Sequence, residues 1–255
     1  MSIENANQNG CDLIIANDPD TDRCSLAERQ PDGTFRQFSG NELGALLGWF
    51  CWLKYLKVDK QENDRCYMLS STVSSRILHT MAKKEKFEFI ETLTGFKYMG
   101  NVADSLLKEN LLKKSEKKNK ILMAFEEAIG YQSNSEVLDK DGISAAIEFT
   151  QLALYLRKVK NTTLTRCLFD EIYATYGYHY NVNSYYLCYE PEVIRKIFNR
   201  IFHYNGKQDA ITYLWKFGDH QVTRIRDLTN GYDSHFEDCK PVIFFFHLYI
   251  LCAIC

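Results

Sequence analysis

The sequence has no excess of charge of either sign: 31 lysines and arginines against 33 aspartates and glutamates leave a formal net charge of -2 over 255 residues. That balance gives no basic footprint, so nucleic acid is not an expected partner. The longest cationic stretch, KKSEKKNK at 113–120, reads as a solvated turn between two apolar segments. The first ten residues, MSIENANQNG, have neither the cationic n-region nor the apolar h-region of a secretory leader, and a cytoplasmic location is expected. A disulfide framework is missing too. Nine cysteines, odd in number and scattered, suit reduced and mostly buried thiols. The single close pair, Cys252 and Cys255, has no second pair to complete a zinc site.

A membrane-length apolar run is also lacking. The most apolar stretch, PVIFFFHLYILCAIC at 241–255, falls short of the roughly 18–20 residues a spanning helix needs, and His247 interrupts it. It reads instead as an aggregation-prone tail standing where a completed last domain is expected, as in a truncated or misjoined gene product. No feature of the sequence sets an oligomeric state.

With 45% apolar residues, a chain of this length can bury one or two cores. From residue 11 to about residue 160, short apolar runs alternate with amphipathic stretches, the pattern of an α/β fold with parallel strands and crossover helices. CDLIIAN is a buried strand candidate ending at Asn17, and ERQPDGTFRQF is hairpin-like with Asp32 and Gly33 as its turn. Ser39 with Glu42 forms a capping box that predicts a helix burying Leu43, Leu46, Leu47, Phe50 and Leu53. CYMLSS, FEFIETL and ILMAF are the next strands, each followed by helical pattern (SSRILHTMAKKEK, KYMGNVADSLLKEN, GISAAIEFTQLALYLRKV). Beyond residue 160 a helix closed by Gly177, an alternating segment YHYNVNSYYLCY, a helix opened by Pro191 and a strand VTRIRDL predict a second, smaller and unfinished α+β unit. In open parallel sheets ligands bind beyond the carboxyl ends of the strands, so the loops there are the places for chemistry.

The most informative segment is ANDPDTDR, where Asp18, Asp20 and Asp22 recur at every second position directly after a strand and Arg23 follows. Hard oxygen donors at this density suit Mg2+ or Ca2+. An EF-hand is excluded, because its sixth position is Arg23 instead of glycine and its twelfth is Arg29 instead of glutamate. The bland alternative is an acidic surface turn.

This loop resembles the magnesium loop of the α-D-phosphohexomutases, and TLTGFKYMGN, FEEAIGY, LDKDGISAA and RDLTNGYDS follow in that family's order. The resemblance runs from about residue 10 to residue 238 and is closest to the branch of phosphopentomutase and the glucose-1,6-bisphosphate synthases. It implies the end of domain 2 at 1–40, domain 3 at 41–165, part of domain 4 at 166–238 and an aberrant tail at 239–255. It implies a phosphosugar mutase that uses a phosphoserine and Mg2+ on pentose or hexose phosphates, with a sugar bisphosphate activator. Asp18, Asp20 and Asp22 would hold the metal, and Arg23 would add a fixed positive charge. Thr94, Gly95 and Glu126 would bind the sugar phosphate, with Lys97 a further cleft residue or a solvent-facing lysine. Lys140 would be the general acid or base, a role that requires a depressed pKa; helix capping explains its neighbour Asp141 equally well. Ala128 stands where glucose-specific members carry serine, which favours the pentose branch. His79 and His179 are expected to be packing residues.

The family's Ser-His-Asn-Pro segment and its phosphate clamp are not found, and Ser70, Ser71, Ser74 and Ser75 are no substitute for the nucleophile. The isolated chain is therefore expected to lack mutase turnover. The competing readings are a non-catalytic Mg2+ and sugar-phosphate binding module, or a membrane-tethered interaction protein.

Overall fold

A computed structural model describes residues 2–61, 63–112, 117–182, 187–203, 212–227, 232–234 and 250–254. By packing, the chain divides into two compact units, Met1–Asn181 and Val182–Cys255.

The first unit opens with a short helix, α1 (Ser2–Gln8), and three antiparallel strands, β1 (Leu13–Asn17), β2 (Cys24–Arg29) and β3 (Phe35–Gln37), in that order. Asn17 pairs with Cys24, so only residues 18–23 join β1 to β2. CDLIIAN thus forms a strand ending at Asn17 as expected but not a buried one, since Leu13, Ile14 and Ile15 are half-buried and Ala16 and Asn17 exposed, and the parallel pattern expected from residue 11 starts later: a parallel crossover takes a dozen or more residues, and a six-residue connection can only reverse the chain. Along β2, Cys24, Leu26 and Glu28 are buried while their neighbours are half-exposed, a period of two against one core. The β2–β3 hairpin turns at Asp32 and Gly33 as the sequence predicts. Gly33 takes φ +85°, and Oδ1 of Asp32 accepts from the amide and the hydroxyl of Thr34 at 2.9 and 2.6 Å.

Helix α2 (Gly40–Lys54) starts at the expected capping box: the Glu42 amide donates to Ser39 Oγ at 3.3 Å, and the Ser39 amide donates to Glu42 Oε2 at 2.8 Å. It is buried nearly all round through Cys51, not on one stripe, because it lies between the sheet and other helices. Gly44 lets it approach the sheet closely, since a Cβ there would stand 2.4 Å from the Phe125 ring.

The central sheet has the order β5 (Glu88–Thr92), β4 (Asp64–Ser71), β6 (Lys118–Glu126), β7 (Gly130–Gln132). β4 runs parallel to both β5 and β6, and β7 folds back antiparallel on β6. Helix α3 (Ile77–Glu85) connects β4 to β5, and α4 (Phe96–Leu112) connects β5 to β6. After β7 come α5 (Gly142–Tyr155) and a helical run from α6 (Leu164–Arg166) to α7 (Ala174–Tyr176). One sheet face, with Met68, Met123 and Phe125, packs against α2, α3 and α5; the other, with Tyr67, Leu69 and Ala124, packs against Phe96, Met99 and Ala103 of α4. The result is an α/β/α sandwich, the expected α/β class. Leu164, Cys167, Leu168 and Ile172 lie in the same core as α2.

In the second unit, Pro191 opens α8 (Pro191–Phe202) as the sequence predicts. A sheet follows, in which β9 (His220–Asp227) pairs with β8 (Lys216–Phe217), β10 (Tyr232–Asp233) and β11 (Ile250–Ile254). The strand expected over YHYNVNSYYLCY does not form at 178–182 or 187–190; the rest of that stretch lies outside the described residues. Tyr178, Tyr180, Val182, Leu187 and Tyr189 are exposed, so at these described positions the alternation packs on no sheet. Most of the apolar tail, at 241–249, and much of the basic run at 113–116 lie outside the described residues as well. Among the described residues, no helix is long and apolar enough to cross a membrane.

Candidate functional site: a carboxylate loop joined to a buried glutamate

The turn after β1 gathers the three aspartates. Thr21 adopts φ +58° and its amide donates to the Asp18 carbonyl at 3.0 Å, which folds the loop tightly. One carboxylate oxygen from each of Asp18, Asp20 and Asp22 lies within 4.8 Å of the others. Arg23 closes the loop on itself, with its amide 3.1 Å from Asp18 Oδ1 and its Nε 2.5 Å from Asp18 Oδ2. Burial works against the charged Asp18 carboxylate, but the hydrogen bonds from Arg23 outweigh it and hold the carboxyl below its usual range.

Two contacts tie this loop to the β6–β7 turn and to α5, and a third closes it on itself. The Cys24 amide donates to the Ile129 carbonyl at 3.0 Å. The Gly142 amide, at the start of α5, donates to the Thr21 carbonyl at 3.0 Å. Asn17 Nδ2 donates to the Arg23 carbonyl at 2.7 Å.

The sheet contributes the opposite wall. Because β4, β5 and β6 are parallel, their carboxyl ends lie on one edge, with Ser71 level with Thr92 and Ser70 with Phe125. Glu126 ends β6 and is 7% exposed. Burial pushes its carboxyl above the ordinary glutamate range, and Lys140 opposes this only in part. Lys140 stands between the two walls, its Nζ 3.0 Å from Asp22 Oδ2 and 3.7 Å from Glu126 Oε1. Burial pushes the Lys140 ammonium down, but the hydrogen bond to Asp22 and the charge of Glu126 push it up, and the outcome is a raised pKa. Two carboxylates at contact distance outweigh the partial burial, so these protein groups alone do not supply the depressed pKa that an acid or base role for Lys140 requires.

Thr94 and Gly95 follow β5. β4 separates β5 from β6, which puts their loop about two strand spacings, roughly 9–10 Å, from the end of β6. The Thr94 hydroxyl is buried without a hydrogen-bond partner, and Gly95 takes φ +108° as the loop turns into α4. Lys97 is exposed, with its Nζ 5.2 Å from the Tyr98 ring centre. Asp141 caps α5, its Oδ1 accepting from the Ile143 and Ser144 amides. His79 packs edge-on against Phe89, the packing role expected of it, whereas His179 is half-buried and lies at hydrogen-bond distance from Thr80 Oγ1 (2.9 Å) and the Gly177 carbonyl (3.0 Å).

Sequence reasoning missed the residues that aim the site. Glu127 turns away from Glu126 and accepts hydrogen bonds from Ser71 Oγ at 3.2 Å and Ser74 Oγ at 3.1 Å, joining the exits of β6 and β4. Gly130 leaves room beside Glu126, since a Cβ there would lie 2.9 Å from Glu126 Oε1 and 3.0 Å from Lys140 Cδ. Their only signal in the sequence is adjacency to the motifs.

The donor set fits a hard divalent cation. It consists of carboxylate oxygens, and Asp22 Oδ1 is buried with no hydrogen-bond partner.

Residues 39–172 match the family model of the phosphoglucomutase/phosphomannomutase alpha/beta/alpha domain III. Human phosphopentomutase is 44% identical over 245 residues, 95% of this chain and 38% of the relative. Glucose 1,6-bisphosphate synthase of Pongo abelii is 40% identical over 95% of this chain and 37% of the relative. The phosphoribomutase of Saccharomyces cerevisiae is 36% identical over 95% and 38%. Among solved structures, the Paramecium phosphoglucomutase pp63/parafusin aligns with a TM-score of 0.53 at 20% identity, over 86% of this chain and 33% of that one, a likeness of fold. The chain belongs to the phosphoglucomutase/phosphomannomutase family. Within it, the chain falls in the branch of the phosphopentomutases and glucose-1,6-bisphosphate synthases, and it spans a little over a third of the length of those relatives.

Proposed function

We propose that this chain supplies the cation-holding and sugar-holding residues of a phosphosugar mutase acting on pentose or hexose phosphates in the cytoplasm. The observation that carries this reading is the placement of Lys140 between Asp22 and Glu126, which makes the acidic loop and the buried glutamate one charged constellation. In this reading the segment to residue 40 closes a second domain and the residues from Val182 begin a fourth. The match of the domain III family model to residues 39–172 supports taking the helical run up to Ile172 with the third domain.

Asp18, Asp20 and Asp22 would hold Mg2+, with Asp22 Oδ1, which has no hydrogen-bond partner although Arg23 Nε lies 3.6 Å away, as one donor. When bound, the ion supplies charge neutralisation for a phosphoryl group in transfer. Arg23 keeps the loop folded and presents a permanent cation beside it. Glu126 accepts hydrogen bonds from sugar hydroxyls, and the Thr94–Gly95 turn borders the same strand edge. Lys140 keeps its proton and donates a hydrogen bond to an oxygen entering between Asp22 and Glu126. A phosphoserine donor and a sugar bisphosphate activator belong to this reading of the whole enzyme.

Calorimetry on the folded chain with Mg2+ and with ribose 1-phosphate tests it. Binding of Mg2+ that is lost in Asp20→Asn, and of ribose 1-phosphate that is lost in Glu126→Gln, is the expected result. A folded chain that gives no heat with either ligand sinks the proposal.

A further inference from the structure

The acidic loop already holds its own cations. Arg23 occupies both oxygens of Asp18 through its amide and Nε and lies 3.6 Å from Asp22 Oδ1, while Lys140 occupies Oδ2 of Asp22. The two cations differ in origin. Arg23 is a residue of the loop and is tied to it by its own amide. Lys140 arrives from the segment between β7 and α5, and it has a second anionic neighbour in Glu126, off the loop. A divalent ion on the aspartates would face the Lys140 ammonium as a like charge across Asp22. Glu126 gives that ammonium somewhere to go.

We propose that Lys140 is a tethered counter-ion of the acidic loop, which opposes cation binding while it sits on Asp22 and shifts toward Glu126 when a cation binds. The inference rests on the reading of Asp18, Asp20 and Asp22 as a Mg2+ loop. It makes Lys140 and Glu126 determinants of cation affinity although neither is a ligand. Occupancy of the sugar side and of the cation side are thereby coupled through one side chain. A unit charge within about 5 Å of a divalent one is worth roughly a tenfold change in affinity or more, even at the dielectric of water.

The test measures Mn2+ binding to the full chain by loss of the free-ion electron paramagnetic resonance signal, with Mg2+ as competitor. Lys140→Met, or Lys140→Gln if the first variant does not fold, is expected to bind about tenfold tighter than the unaltered chain. Lys140→Arg, which keeps the charge, is expected to stay close to it. Glu126→Gln is expected to weaken binding several-fold, because Lys140 loses its second seat. In the Lys140→Met background only the direct attraction of the Glu126 carboxylate for the cation is lost, so the same change is expected to have a distinctly smaller effect than in the unaltered chain, the non-additivity that marks action through Lys140. Binding that is no tighter in Lys140→Met and Lys140→Gln overturns the inference, as does an equal effect of Glu126→Gln in both backgrounds. If the unaltered chain binds Mn2+ and Asp18→Asn abolishes that binding, the metal reading survives such a result. If neither the folded unaltered chain nor the folded Lys140 variants bind Mn2+, both fall together.

Discussion

The amide of Gly142 donates to the carbonyl of Thr21 at 3.0 Å, so the first residue of α5 rests directly on the acidic loop. A Cβ on Gly142 would lie 2.4 Å from Asn17 Nδ2 and 2.5 Å from the Arg23 carbonyl oxygen. The loop's shape is therefore set by a helix more than a hundred residues away in sequence. Gly142→Ala is expected to destabilise the chain by about 1–3 kcal/mol through overpacking. Urea denaturation measures this, and a change under about 0.5 kcal/mol, the range of an ordinary surface substitution, counts against the close contact.

Glu28 performs a similar service from β2. Its carboxylate, buried, accepts from the Leu164 and Thr165 amides at 2.8 Å each and from Thr165 Oγ1 at 2.7 Å. It is in effect a capping group delivered from another element. Glu28→Ala leaves those amides unpaired, with an expected cost of about 1–3 kcal/mol. Hydrogen exchange should rise selectively at Leu164 and Thr165; unchanged protection there would rule the capping role out.

Glu126 illustrates the cost of a functional carboxylate in a buried place. Its pKa is raised in the folded chain, chiefly by burial, so the folded state binds the proton more tightly than the unfolded state. The penalty is present above the folded pKa and disappears below the unfolded one. Glu126→Gln is therefore expected to stabilise the fold near neutral pH, with the gain fading as the pH falls through the raised folded pKa and gone below about 4.3, the ordinary glutamate value. Denaturation midpoints at the two pH values measure it, and a gain that grows on acidification contradicts the sign.

The thiols divide by burial. Cys24, Cys51 and Cys167 are pushed up to about 12 by burial, while Cys11 is exposed. At mildly alkaline pH, maleimide is expected to label Cys11 in the native chain and to reach the other three only on unfolding. Peptide mapping by mass spectrometry reads this out, and fast native labelling of Cys24 would show that the β2 core is open.

Local patterns carried much of this outcome. The Ser39–Glu42 box, the Asp32–Gly33 turn and the strand before Glu126 are short-range features whose chemistry lies within a few residues, and each appears where the sequence places it. The acidic triad at 18, 20 and 22 converges because its spacing and one tight turn bring it together. Other expectations failed where a pattern had no context. The alternation YHYNVNSYYLCY lacks a sheet to pack on at its described positions, and a six-residue link makes CDLIIAN antiparallel. What only the tertiary structure decided is the company of Lys140. Its neighbours Asp22 and Glu126 come from two different parts of the fold, the loop after β1 and the end of β6, and their combined charge raises its pKa, where an acid or base role would require a lowered one. Residue spacing along the chain encodes turns, caps and faces; which charges meet depends on how separate elements pack, and that packing sets the electrostatics of the site.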